Sequence, residues 1–141
     1  MGALYSDAVR ARCREPRRAG GWPEGTPAVG TGEQGSLASG TWTRLQVHVA
    51  EGGEVIDDAR FRVFGCSAAL ASASWVADAL VGRPLAEARQ LAPDAVVDAL
   101  ELPDDKAAMA VLATDAARAA VVDWETKAGL GARVPGLGES R

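Results

Sequence analysis

Cys66 offers the clearest chemistry in this sequence, because it lies where a strand is predicted to meet a helix. Residues Phe61–Ser74 have the pattern of a β-strand that stops at Gly65-Cys66 and turns into an Ala/Ser-rich helix. The free N–H groups at the start of a helix favour the thiolate form of a cysteine there. Such a thiolate could accept a persulfide sulfur, bind metal with ligands from another chain, or form an intermolecular disulfide. Alternatively, Cys66 is a small buried residue without a chemical role.

The other residues with strong metal-ligating side chains are Cys13 and His48. Cys13 falls on a short predicted helix, and we interpret it as a packing or surface residue. His48 falls on the polar face of a predicted strand, and we interpret it as a solvated side chain rather than a ligand. Two cysteines and one histidine are too few for a four-ligand structural zinc site unless carboxylates or a second chain contribute. A Cys13–Cys66 disulfide is not expected in a reducing cytosol.

Length and charge narrow the class of protein. The 141 residues suffice for one domain with its own core. The net charge of −4 gives no reason to expect nucleic acid or an anionic membrane as a partner. No apolar run approaches the roughly 20 residues that span a bilayer, and no signal peptide is recognisable at the start. We therefore expect a cytoplasmic protein.

The elements that must position Cys66 are strands before it and helices after it. Alternating apolar and polar residues predict strands, and Gly52-Gly53 predicts a hairpin turn between two of them. Helical spacing predicts a final long helix with Asp104 as its N-cap. We expect its buried face to hold Met109, Leu112, Ala116 and Ala119 or Ala120. The expected elements are a helix over 4–14, strands near Val29–Leu37, Trp42–Ala50 and Val55–Gly65, and helices over Ser67–Val81, Pro84–Leu91, Pro93–Leu100 and from Pro103 to about Lys127.

This order predicts an α+β fold, in which a small antiparallel sheet of about three strands packs against helices. We expect one domain over residues 1–127 and a flexible tail over 128–141, because the tail has the composition of a disordered end. The tryptophans are interpreted as hydrophobic anchors, although an exposed Trp42 or Trp75 could mark a partner surface. An N-terminal arginine cluster is interpreted as a solvated face or a docking site for an acidic partner. It consists of Arg10, Arg12, Arg14, Arg17 and Arg18.

A series of short motifs, in order along residues 4–127, carries a resemblance to a known family. The motifs include Tyr5-Ser6, Glu15-Pro16-Arg17, Leu45-Gln46-Val47-His48-Val49, Asp57-Asp58-Ala59-Arg60-Phe61, Phe64-Gly65-Cys66, Leu102-Pro103 and Lys106. On these residues the chain resembles the iron–sulfur cluster assembly scaffolds of the IscU/NifU N-terminal type. The resemblance implies a SufE/NifU-like fold and a scaffold rather than an enzyme.

Scaffolds of this family build a [2Fe–2S] cluster on three cysteines, helped by a histidine and an aspartate. The resemblance places those positions at Ser39, Thr41, Cys66, Ala108 and Met109, so that only Cys66 keeps a usual ligand. Iron in such clusters requires thiolate, usually four per cluster. We therefore expect that any [2Fe–2S] cluster or iron is shared between chains, or that none is bound.

The resemblance implies a cysteine desulfurase or a client metalloprotein as partner, with a homodimer as a further option. The family's Hsp70-type chaperone recognises a Leu-Pro-Pro-Val-Lys run, which here contains Asp104 and Asp105, so we do not expect that chaperone to bind. Two functions remain open. The first is a divergent scaffold-like protein in cluster assembly or transfer that uses Cys66. The second is a non-enzymatic adaptor or maturation factor for a metalloenzyme that has abandoned cluster binding.

Overall fold

The computed structural model describes residues 5–129, which form three strands and five α-helices. The sheet is antiparallel, in the order β1-β2-β3, and the helices follow it along the chain except for α1. The predicted α+β class and the three-stranded sheet are confirmed. The elements are α1 (Asp7–Arg14), β1 (Val29–Ser36), β2 (Thr41–Val49), β3 (Ile56–Phe64), α2 (Ser67–Leu80), α3 (Leu85–Ala88), α4 (Pro93–Leu100) and α5 (Ala107–Lys127).

Alternation along β2 and β3 decides which face of the sheet packs on the helices. Leu45, Val47 and Val49 of β2 are buried, as their spacing predicts, and so are Ala59 and Phe61 of β3. The β2–β3 turn contains Gly52 and Gly53 at φ +105° and +77°, which a two-glycine turn accommodates without strain. The predicted hairpin is therefore confirmed.

Helix α5 lies directly on β1 because β1 has glycines where the two elements meet. A Cβ atom added to Gly32 would lie 2.1 Å from the carbonyl oxygen of Ala116, and one added to Gly30 would lie 2.2 Å from that of Ala120. The buried residues of α5 are correspondingly small. They are Ala110, Ala113, Thr114, Ala116, Ala117, Ala120 and Val121.

Two expectations about the last helix are corrected by the structure. Met109 and Leu112 are only half-buried, because the buried face of α5 is the alanine-rich one. Asp104 does not cap α5; residues Asp104–Lys106 form a 3₁₀ turn instead, and α5 starts at Ala107. Ala116 and Ala120 are buried, as predicted.

The outer face of the sheet is less solvated than the alternation predicts. Gln46 is buried, because the segment that contains Trp22 crosses over it. The Gln46 amide accepts a hydrogen bond from the Trp22 N–H at 2.8 Å and donates one to Thr31 Oγ1 at 3.0 Å. Trp42, Trp75 and Trp124 are half-buried like Trp22, so none of the four tryptophans is an exposed side chain.

Helix α1 packs along α2 and is fastened at both ends. Ser6 caps it by accepting from the Val9 N–H at 3.2 Å, and the Ser6 hydroxyl donates to the Leu100 carbonyl at 2.5 Å. At the other end Arg12 donates to Asp78 of α2 at 2.6 Å. Val9, between these contacts, is fully buried. The position of α1 on α2 is therefore set by a buried side chain and by hydrogen bonds on either side of it.

The arginine cluster is partly neutralised, because two of its members bind one carboxylate, whereas Arg10, Arg14 and Arg17 are exposed as expected of a solvated face. Asp78 accepts hydrogen bonds from Arg12 and from Arg18, each at 2.6 Å, and Arg17 lies 3.9 Å away. Burial opposes ionisation of Asp78, but the hydrogen bonds and charges of Arg12 and Arg18 outweigh it and hold the pKa of Asp78 below its usual value.

Two further expectations concern membrane-spanning segments and the C-terminal tail. Within residues 5–129, no helix is both long and apolar enough to cross a membrane. The expected tail over 128–141 lies outside the described residues except for Ala128 and Gly129. The boundary between domain and tail therefore stays a prediction.

Candidate functional site

Cys66 lies at the strand-to-helix corner, as its sequence context predicts. It is the N-cap residue of α2, with φ −82° and ψ 175°, and its carbonyl oxygen accepts the Leu70 N–H at 3.1 Å. Its side chain makes no capping hydrogen bond and is half-buried. The thiol is thus held at the N-terminal end of a 14-residue helix while its sulfur stays available for reaction.

Lys106 supplies a positive charge beside this sulfur. The 3₁₀ turn before α5 places the ammonium group where the charges of Cys66 and Tyr5 act on it. The pKa of Lys106 is raised above its usual value, mainly because negative charge on Cys66 attracts the ammonium, with a smaller contribution from Tyr5. A thiolate, or a sulfur atom added to it, would therefore lie next to a cation.

Cys13 approaches the same corner from helix α1. Its thiol donates to the carbonyl oxygen of Ser67, the residue after Cys66, at an Sγ–O distance of 3.5 Å. Partial burial raises the pKa of the Cys13 thiol, and the charge of Cys66 nearby raises it further. Both cysteines are free thiols and both are half-buried. The structure therefore places two thiols at the start of α2, where the sequence offered one.

The turn between β1 and β2 borders this corner. Thr41 packs against Gly65, since a Cβ added to Gly65 would lie 3.3 Å from Thr41 Cγ2 and 3.5 Å from Thr41 Oγ1. Ser39 is exposed, and its hydroxyl donates to the Ser36 carbonyl at 2.9 Å within the turn. The Thr41 side chain is thus brought next to the residue before Cys66, whereas the Ser39 hydroxyl stabilises its own turn.

Ala108 and Met109 lie in the first turn of α5, just after Lys106. Met109 is half-buried and packs against the core, and Ala108 is exposed. Neither side chain can supply a thiolate. Met109 carries a neutral thioether, which suits core packing and softer metal ions than the iron of such clusters.

His48 lies at the opposite end of the sheet from Cys66. His48 pairs with Asp58 in the β2–β3 register, whereas Phe64, two residues before Cys66, pairs with Trp42. Trp42 and His48 are six positions apart in β2, about 20 Å along the strand. His48 Nδ1 lies 2.6 Å from Asp57 Oδ1, so the histidine has a carboxylate partner of its own. His48 therefore does not belong to the thiol site.

A wide concavity is also found at the far end. An open groove of about 720 Å³ lies between the β2–β3 turn and the end of α5, and His48 and Trp124 help to line it. Neither cysteine lines this groove. We place the candidate site at the thiols rather than in the groove, because the groove lacks a cluster of nucleophilic or ligating side chains.

The residues at the thiol site do not form a complete metal site within one chain. Across residues 5–129, no three His, Cys, Asp or Glu side chains converge as ligands. An iron–sulfur cluster usually takes four thiolates, and this corner offers Cys66 and Cys13 alone. The arrangement instead suits sulfur chemistry on a thiol beside a cation.

Sequence reasoning found Cys66 but missed the groups around it. Tyr5 and Lys106 carried the family resemblance, and Cys13 was interpreted as a packing or surface residue. None of the three is close to Cys66 in the chain, and no local pattern links them to it. The one available signal was that Tyr5 and Lys106 stood among the family motifs.

Fold and site together define a class of protein: a small α+β domain of the NifU-like type, with a cysteine at the corner between the last strand and the helix that follows it. The NifU-like N-terminal domain family matches residues 4–130, which is most of the chain. The chain belongs to this family, and the resemblance stated from its sequence motifs is confirmed.

Curated relatives agree over nearly their whole length. The chain is 41% identical over 126 residues to the iron–sulfur cluster assembly scaffold protein IscU of Azotobacter vinelandii, covering 89% of this chain and 98% of the relative. It is 37% identical over 123 residues to IscU of Escherichia coli K12, covering 87% and 95%. Among solved structures, the N-terminal part of a nitrogen-fixing NifU-like protein from Brucella abortus has a TM-score of 0.63 at 22% identity and covers 88% of this chain and 96% of that one.

Proposed function

We propose that this protein is a divergent scaffold-like protein of iron–sulfur cluster assembly or transfer that handles sulfur on Cys66. The observation that carries the proposal is the half-buried Cys66 thiol at the N-terminus of α2, near the positively charged side chain of Lys106. The similarity to two IscU scaffold proteins supports the pathway. The role is that of a carrier, without an enzymatic reaction of its own.

The step assigned to Cys66 is the acceptance of a sulfur atom from a cysteine desulfurase. The Cys66 thiolate attacks the outer sulfur of the desulfurase persulfide, a new S–S bond forms, and the desulfurase cysteine leaves as a thiolate. The product is a persulfide on Cys66, whose negative charge lies beside Lys106. That cation stabilises the negative charge of the product by electrostatic attraction.

Positions Ser39, Thr41, Ala108 and Met109 are proposed as the degenerate counterparts of family ligands. Their side chains carry hydroxyl, methyl and thioether groups, none of which replaces a thiolate on iron. Any [2Fe–2S] cluster or iron on this protein would therefore be held with ligands of a second chain, from a homodimer or a client metalloprotein. Delivery of sulfur alone requires only Cys66.

Exposed apolar residues at the same end of the sheet support docking of a protein partner there. Leu37 is 66% exposed in the β1–β2 turn, and Phe64 is 55% exposed at the end of β3. Phe64 pairs with Trp42 across the sheet. This apolar edge also favours the second candidate, an adaptor or maturation factor for one metalloenzyme.

The exposed carboxylates Asp104 and Asp105 disfavour binding of the family's Hsp70-type chaperone.

Anaerobic reconstitution tests the proposal. The full chain would be incubated with ferrous iron, a cysteine desulfurase and L-cysteine, and bound iron and sulfur would be measured after desalting. Sulfide released from the chain would be added to the bound sulfur, and we expect this total to be substantial for the wild-type chain and absent for Cys66→Ser. The matched control is Ser67→Ala, which changes the next, exposed residue and should load like the wild type.

Equal loading of wild type and Cys66→Ser would contradict a role for Cys66. The adaptor function makes a different prediction in the host cell. There, Cys66→Ser would leave activation of the client enzyme intact, whereas a Leu37→Asp/Phe64→Asp variant would abolish it.

A further inference from the structure

We propose that Cys13 is the resolving thiol for a persulfide on Cys66, so that this chain releases hydrosulfide and closes a Cys13–Cys66 disulfide. The inference rests on the proposed function for the origin of the persulfide and adds the step that follows it. Nothing in the family motifs assigns a role to Cys13.

The geometry places the Cys13 sulfur at the persulfide-bearing corner. Cys13 Sγ lies 3.5 Å from the Ser67 carbonyl oxygen, and Ser67 directly follows Cys66. Both thiols are reduced, and neither is fully buried. Cys13 is the penultimate residue of α1, so it lies at the end of that helix near Ser67. The two thiols therefore lie at the same end of α2.

Helix α1 delivers Cys13 as part of a docked element. Val9 is fully buried, the Ser6 hydroxyl donates to the Leu100 carbonyl, and Arg12, adjacent to Cys13, donates to Ser74 at 3.1 Å and to Asp78 at 2.6 Å. A nucleophile held this way reacts as an intramolecular group, at a much higher effective concentration than a thiol in solution.

The reaction balances without an added oxidant. The Cys13 sulfur attacks Sγ of the Cys66 persulfide and forms the Cys13–Cys66 bond. The bond between Cys66 Sγ and the outer sulfur breaks, and the outer sulfur leaves with the bonding electron pair and the Cys13 proton as hydrosulfide. The outer sulfur is thereby reduced, and the two cysteines are oxidised to a disulfide. Lys106, whose charge interacts with that of Cys66, supplies positive charge near the departing anion.

Attack at the inner sulfur is favoured because of the leaving group. Thiol–disulfide exchange is faster when the departing sulfur is the conjugate base of the stronger acid. Hydrosulfide is a weaker base than an alkyl thiolate, so it is a competent leaving group from Cys66 Sγ once Cys13 attacks there. A dithiol reductant would then return two electrons and two protons to the disulfide and restore both thiols for another cycle.

The test uses the full chain and two separate sulfur sources without any reductant. In one arm a cysteine desulfurase with L-cysteine loads Cys66; in the other, glutathione persulfide loads it chemically. After rapid anaerobic desalting, free sulfide and intact mass are followed with time. We expect wild type to release about one sulfide per chain and to finish two hydrogens lighter than the reduced protein, with a Cys13–Cys66 peptide on mapping.

Cys13→Ser and Cys13→Ala should both keep the extra sulfur on Cys66 and release sulfide at least about tenfold more slowly, since they lose the intramolecular nucleophile. Cys66→Ser should release none. If the wild-type persulfide lasts as long as that of the Cys13 variants, or if no Cys13–Cys66 peptide forms, the inference is overturned. Resolution with glutathione persulfide but no loading from the desulfurase would support the inference and refute the proposed origin of the sulfur.

Discussion

The two ends of helix α2 both contact α1 and its flanking residues, but they carry different chemistry. At the C-terminal end, Asp78 accepts hydrogen bonds from Arg12 and Arg18, each at 2.6 Å. At the N-terminal end, Cys66 makes no capping hydrogen bond, and Cys13 makes one weak contact with the Ser67 carbonyl. One end is an ion-pair cluster whose carboxylate is fully engaged, and the other holds two thiols that remain free to react.

This difference suggests that one end of α2 has a structural role and the other a chemical role. The ion-pair end fixes α1 on α2 and so determines where Cys13 lies. The thiol end contributes little to stability, because half-buried thiols are weak hydrogen-bonding groups. We therefore expect substitutions at the ion-pair end to change the free energy of unfolding, and substitutions at the thiol end to change reactivity.

The largest expected effect comes from Asp78→Asn. Loss of the carboxylate leaves Arg12 and Arg18 with a weaker, neutral acceptor in a site where Asp78 is only 21% exposed. We expect the free energy of unfolding to fall by about 1–3 kcal/mol, measured by urea denaturation near neutral pH. Asp98→Asn, at an exposed position on α4, is the control and should change it by less than about 0.5 kcal/mol. An equal effect of both variants would refute the structural role of the cluster.

The acid dependence of stability sharpens the same comparison. Because the folded pKa of Asp78 is below its usual value of 3.8, its contribution is present above that value and is lost as the pH falls through the lower folded pKa. Wild type should therefore lose stability in this window more steeply than Asp78→Asn, which lacks the titrating group. The measurement is the urea midpoint of both proteins, from neutral pH down to below this window. If the midpoints of wild type and Asp78→Asn fall in parallel as the pH is lowered, the expectation is wrong.

At the thiol end, Lys106→Gln should slow the reaction of Cys66 without changing stability. In a Cys13→Ser background, the rate of alkylation by iodoacetamide reports on Cys66 alone. We expect the rate to fall about twofold to fivefold, since an exposed cation stabilises a neighbouring thiolate only modestly. The control Lys127→Gln changes a lysine that pairs with Asp123 on α5 and should leave the rate unchanged. Equal alkylation rates in the Cys13→Ser parent and in both lysine variants would show that Lys106 does not influence Cys66.

The smallest effect is expected between the two ends, at Ser72. Its hydroxyl is buried without a hydrogen-bond partner, whereas Ser74 accepts a hydrogen bond from Arg12 at 3.1 Å. Ser72→Ala should stabilise the protein by up to about 1 kcal/mol, because it removes an unpaired polar group and raises helix propensity. Ser74→Ala should be neutral or destabilising in the same urea experiment. The reverse order would show that Ser72 has a partner.

Local pattern explains which parts of the fold the sequence predicted well. Alternation in β2 identified Leu45, Val47 and Val49 as buried, because side chains on a strand alternate between faces. The same reasoning failed for Met109 and Leu112. Helix α5 is rich in alanine, so its periodicity does not distinguish the buried face. That face was selected by Gly30 and Gly32 of β1, which allow the helix backbone to lie on the strand.

The sequence alone determined the order of strands and helices and the position of Cys66 at the start of α2, because both follow from the spacing of neighbouring residues. Only the tertiary structure brought Cys13, Tyr5 and Lys106 to that corner. The reason is that α1 packs along α2, and the 3₁₀ turn before α5 returns the chain to the same helix end. Such contacts depend on how whole elements pack, and no local pattern of residues records them.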